Sequence, residues 1–136
     1  MVTFTITYQG DLRCRVVHDP SGTVLVSDAP LDNQGRGESF SPTDLVASGL
    51  GCCMTTIMGI VARRDGIALA GALLRVEKHM TATAPRKIAR LVVAFSMPAG
   101  IRADDRAKLE RAAHTCPVAL SLHPDIVVQA SFSYGG

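Results

Sequence analysis

The chain has no run of lysine and arginine interleaved with aromatic residues, and its formal net charge is only +2. A nucleic-acid groove needs a concentrated basic surface, so that class of partner is not expected. The first residues, Met1 to Gln9, lack the charged start and continuous apolar run of a signal peptide. The protein is therefore expected to stay in the cytoplasm. There its four cysteines would be mostly reduced, serving catalysis, metal binding or plain packing. No internal repeat, low-complexity tract or linker interrupts the sequence, so one domain over residues 1–136 is expected. Charge is missing altogether between Asp44 and Arg63. That stretch approaches the roughly 20 residues of a membrane span. Yet it carries Ser48, Cys52, Cys53, Thr55, Thr56 and three glycines, with no second span to pack against it. A helix buried all round in a protein core is also apolar on every face. A central core helix, outside any membrane, is the expectation.

What is present is a globular composition, 47% apolar and 19% charged, in a chain of 136 residues that can bury a real core. Val2 to Gln9 alternates apolar and polar residues as a half-buried strand does. Gly10-Asp11 signals a turn, and Leu12 to His18 reads as the second strand of a hairpin. Asp19-Pro20-Ser21-Gly22 is a second turn, followed by a strand over Thr23 to Ser27. A polar, glycine-containing loop runs from Asp28 to Phe40. Ser41-Pro42-Thr43-Asp44 is a helix start, with a capping hydroxyl, a proline suited to the first position and an acid at the positive end of the dipole. This helix should reach about Arg64, closed by Asp65-Gly66. Strands are expected over Leu69–Ala82 and Ile88–Met97, a helix over Ala103–Thr115, and a strand over Ile126–Tyr134. Pro117 places Cys116 at a helix junction. The order predicts an α+β domain with antiparallel sheet around the long helix.

Four groups could carry chemistry: Cys52-Cys53 in the apolar helix, His-Thr-Cys-Pro at 114–117, the loop residues Arg36 and Glu38, and Cys14 between Arg13 and Arg15. A cysteine in an apolar helix usually packs as a small hydrophobe. Two features weigh against packing alone. The helix is crowded with small residues (Ala47, Ser48, Gly49, Gly51) that permit close approach, and Thr55 and Thr56 set hydroxyls beside the thiols. Neighbouring helical residues point about 100° apart, so only one of Cys52 and Cys53 can face a given reaction centre. Cys52, Cys53, His114 and Cys116 could in principle ligate a metal, but adjacent helical cysteines diverge, unlike the spaced pairs of structural zinc sites. No metal or other cofactor is expected. His114 and Cys116 are two apart and would not share a helical face. Cys14 reads as structural.

Ser-Pro-Thr-Asp-Leu at 41–45, followed by a small-residue apolar helix with a cysteine, resembles the central helix of the OsmC/Ohr family. Counted from Pro42, the family's reactive cysteine falls on Cys53 (53 − 42 = 11), and Cys52 takes the place of a small residue. His-Thr-Cys-Pro-Val at 114–118 resembles the Cys-Pro-Val element that supplies the second cysteine, here Cys116 (116 − 53 = 63). The order of elements agrees along the whole chain. The resemblance implies the OsmC-like fold, an intertwined homodimer and a metal-free thiol peroxidase of organic hydroperoxides. It implies a Cys53 sulfenic acid, a Cys53–Cys116 disulfide and recycling by an external dithiol, of lipoyl type in the family. It also implies an arginine, held by a glutamate, that activates the thiolate. Arg36 is the first candidate for that arginine and Arg15 the second. The sequence departs from the family at the acidic partner: Ohr-like members carry glutamate directly after the proline, and here that residue is Thr43. Asp44, one residue later, and Glu38, from the loop, are the candidate acids. A thiol sensor or small-molecule-binding protein without efficient turnover is the alternative.

Overall fold

The computed structural model describes residues 1–135, which form two compact units divided after Val46. The first unit is a three-stranded antiparallel meander of β1 (Phe4–Gly10), β2 (Arg13–His18) and β3 (Val24–Asp28) in that order. The β1–β2 turn falls on Asp11 and Leu12, both at positive φ, one residue later than the Gly10-Asp11 signal suggested. Gly10 is also left-handed, and the register slips between Tyr8 and Gly10, which accommodates the shift. The turn over Asp19–Gly22 closes on a bond from the Gly22 amide to the His18 carbonyl, 2.7 Å. It fixes a register that sets Arg13 directly across from Asp28.

The loop after β3 contains a short 3-10 helix (Leu31–Asn33) and folds back on itself, with the Gly37 amide donating to the Ala29 carbonyl at 3.1 Å. Gly35 is required there, because a Cβ would sit 1.7 Å from the Ala29 oxygen. The long helix α1 (Pro42–Asp65) then begins in a reciprocal cap. The Ser41 amide donates to the Asp44 carboxylate at 2.8 Å, and the Asp44 amide donates to the Ser41 hydroxyl at 3.1 Å.

The second unit is built on α1. Its buried stripe (Ala47, Leu50, Met54, Met58, Ala62) repeats every three or four residues. The stripe belongs to one core with Leu91, Val93 and Phe95 of β5 (Ile88–Met97) and Leu109 and Ala113 of α2 (Ala103–Ala113). A Cβ on Gly51 would lie 3.0 Å from the Val76 methyl, so the absent side chain is what lets α1 approach β4 (Leu73–Met80). By length and composition, with mean hydropathy 1.9, α1 could cross a membrane. Its buried stripe meets the sheet and α2, and 33% of its most apolar window is buried. The β4 strand starts later than expected because Gly71, at φ +93, and the Ala72–Leu69 bond make residues 69–72 a turn.

The fold is α+β, with one correction to the antiparallel expectation. The sheet order is β4-β5-β6, where β6 is Val127–Tyr134; β4 and β5 are antiparallel, but β5 and β6 are parallel. The reason is the connection. Between β5 and β6 the chain runs through α2 and α3 (Pro117–Ser121), a helical crossover that returns it to the end of the sheet where it started. Phe95 and Phe132 stack across that parallel pair at 4.6 Å.

Candidate active site at the paired cysteines

The second unit brings Cys53 and Cys116 together. Cys53 lies midway along α1, half-buried and packed against the core, whereas its neighbour Cys52 is exposed. The angular separation of adjacent helical residues thus divides the pair as expected. Cys116 is wholly buried, with no accessible surface. Its position follows from Pro117: without an N–H, proline suits the first helical position, so α3 starts there and Cys116 becomes its N-cap in extended conformation. In place of the usual oxygen, the Cys116 sulfur accepts the Ala119 amide at 3.3 Å. Burial pushes the Cys116 thiol up, the Ala119 amide pulls it back, and a hydrogen bond with the Cys53 thiol raises it further. The two thiols are hydrogen-bond neighbours, one half-buried and one wholly buried. All four cysteines are free thiols in this state.

The other candidates, Arg15, Arg36, Glu38 and Asp44, all lie in the first unit. In the first unit, Glu38 binds neither Arg36 nor Arg15: its carboxylate pairs with Arg13 of β2. Arg13 also reaches the Asp28 carboxylate at 3.3 Å, and the same Asp28 oxygen accepts the Glu38 amide at 3.0 Å. Asp28 is 1% exposed. Its carboxyl is held below the usual range by the Glu38 amide, against the opposing effect of burial, and by Arg13. Arg13 is held in its charged form by Glu38 and then Asp28. Arg36 is exposed and makes no ion pair among the described residues; Arg15 is exposed on β2, between Thr7 and Val26. Asp44 is engaged in the helix cap. The sequence names Arg13 only beside Cys14, and Asp28 only as the start of a loop. The signal was available, since the Asp19–Gly22 turn fixes the register that opposes them.

His114 caps the end of α2 and lies edge-on to Phe132 at 6.4 Å. Among the described residues, no three His, Cys, Asp or Glu side chains converge as a metal site, so Cys52, Cys53, His114 and Cys116 do not form a ligand set.

An α+β fold with a long helix over a three-stranded mixed sheet, and a reachable cysteine touching a buried one, defines a class of two-cysteine thiol protein. The family model described as OsmC-like protein matches residues 35–131, and the chain belongs to that family. It is 43% identical to a protein of Psychrobacter arcticus 273-4, provisionally named for the osmotic stress and detoxification response, with 98% of this chain and 96% of that one covered and a TM-score of 0.92. The fold is shared with the organic hydroperoxide resistance protein OsmC of Legionella pneumophila (21% identity, 98% and 96% covered, TM-score 0.74). It is also shared with an organic hydroperoxide resistance protein of Elizabethkingia anophelis (17% identity, 99% and 96% covered, TM-score 0.79). No curated protein matches the chain.

Proposed function

We propose that the protein is a cysteine-based peroxidase that reduces organic hydroperoxides in the cytoplasm. The observation that carries this reading is the contact between half-buried Cys53 and fully buried Cys116 within one unit. The Cys53 thiolate attacks the peroxide O–O bond, releases the alcohol and is left as a sulfenic acid. The Cys116 thiol condenses with it, expelling water and forming the disulfide. An external dithiol, of the lipoyl type the resemblance implies, then restores both thiols. No metal or other cofactor takes part. The resemblance asks for an arginine held by a glutamate to favour the thiolate. Arg36 and then Arg15 are the proposed cations, with Asp44 and Glu38 the proposed acids; within the first unit the arginine that Glu38 holds is Arg13. The working form is proposed to be a homodimer.

A second reading has its own support. With Thr43 after the helix-starting proline and Asp44 engaged in the cap, the family's usual acid is missing from that place. The same cysteine pair would then serve a thiol sensor or small-molecule binder that is oxidised once and does not cycle. Consumption of cumene hydroperoxide with dihydrolipoamide as reductant separates the two. Sustained turnover that persists in Cys52→Ser and falls to background in Cys53→Ser is the expected result. One stoichiometric oxidation without cycling would favour the sensor, and full activity in Cys53→Ser would overturn both.

A further inference from the structure

The two sulfurs that would form the disulfide differ in access. In thiol–disulfide exchange the attacking thiolate approaches along the S–S axis from beyond the sulfur it attacks, and the other sulfur departs. Cys53 is half-buried and keeps part of its surface accessible. Beyond Cys116 there is protein in whatever direction the axis points, because that residue has no accessible surface. The buried sulfur is also the one with donors to receive negative charge: the amides of Ala119 and Val118 face it from the first turn of α3.

Resting on the peroxidase reading, we propose that the recycling dithiol attacks only the Cys53 sulfur, with Cys116 leaving as a thiolate held by its own helix cap. In the first step the dithiol loses a proton, and one of its sulfurs bonds to Cys53. The Cys53–Cys116 bond breaks, and the electron pair goes to Cys116, which takes up a proton. In the second step the dithiol's remaining sulfur attacks its partner sulfur in the mixed disulfide. Cys53 is released as the thiolate and the reductant departs as a cyclic disulfide. The protein gains two electrons and the dithiol loses two. One effect opposes this direction: burial pushes the Cys116 thiol up, which makes it a poorer leaving group. That effect is graded, while occlusion of the buried sulfur is close to absolute, so access decides.

The order of attack can be trapped in the full chain carrying Cys52→Ser, which removes the exposed neighbouring thiol. One equivalent of cumene hydroperoxide forms the disulfide, or diamide where the peroxide does not; failure of the peroxide alone counts against the peroxidase reading and leaves the exchange measurable. Stoichiometric 2-mercaptoethanol is then added, with acid quenching at early times, alkylation with N-ethylmaleimide and peptide mapping. The expected product carries mercaptoethanol on Cys53 and maleimide on Cys116, at least ten-fold over the reverse arrangement. Equal or reversed labelling would overturn the proposal. Failure of both oxidants to link Cys53 to Cys116 would overturn it too.

Discussion

The chemistry of single side chains here is set by what each touches within a few ångströms. Arg13 has two carboxylate partners, while Arg36 and Arg15 have none among the described residues. If Arg36 supplies the activating charge that the resemblance implies, Arg36→Ala should lower peroxidase turnover by about ten-fold or more, with Arg15→Ala near wild type. Steady-state rates checked beside unchanged circular dichroism test this, and a reversed ranking would give the role to Arg15. Cys116 makes a prediction about pH. Its folded-state pKa is raised, chiefly by burial, so the folded protein keeps the proton after the unfolded chain has lost it. The contribution to stability is therefore complete below the ordinary thiol range, near pH 8.5, and is lost as pH rises towards the folded-state pKa. Urea midpoints of the reduced protein should fall from about pH 8.5 upward and fall less steeply in Cys116→Ala. Equal slopes would show that the buried thiol is not the cause.

At the scale of elements, the stripe on α1 is where stability is concentrated. Met58 has no accessible surface and lies in the core with Leu91, Val93 and Phe95. Met58→Ala should cost about 2–5 kcal/mol through lost burial and the cavity left behind. Ile60→Ala, on the exposed side of the same helix, should cost far less in the isolated subunit; denaturant titration of both variants checks the contrast. Much of this was legible beforehand. The cap at Ser41 and Asp44, the span of α1, the bounds of β5 and the junction at Cys116 all follow from local signals: proline, turn chemistry and hydrophobic period. What local signals could not reach was non-local. The parallel pairing of β6 depends on where a helical crossover returns the chain, which no local period reports. The partner of Glu38 is non-local too, since β2 supplies Arg13.

For the whole molecule, the apolar surface left uncovered is large for so small a chain. In the first unit, Phe4, Ile6 and Tyr8 fall on one face of β1 and are 57%, 64% and 63% exposed. In the second, Ile60 on α1 is 59% exposed, on the same helix as exposed Cys52 and Thr56. Contiguous apolar faces of this kind mark association surfaces, and a second copy of the chain is the proposed cover. Sedimentation should give a particle of about twice the 14.4 kDa chain mass. Ile6→Asp and Ile60→Asp should shift it towards the monomer with circular dichroism preserved. A wild-type monomer at tens of micromolar would remove the homodimer from the proposal.

The crossover that makes β6 parallel has a further consequence, for the order in which the protein acquires its chemistry. Cys53 precedes β4, Cys116 lies on the crossover, and the sheet closes only when Arg90 comes opposite Val127. Pairings between segments so distant in sequence form late, because the entropy of closing the intervening loop comes before any reward from contacts. A newly made chain is therefore expected to hold its two sulfurs apart until the second unit is nearly finished. On the proposed chemistry, competence to cycle between thiol and disulfide would arrive together with the native fold, and a half-folded molecule exposed to peroxide would have Cys53 without the partner proposed to resolve it.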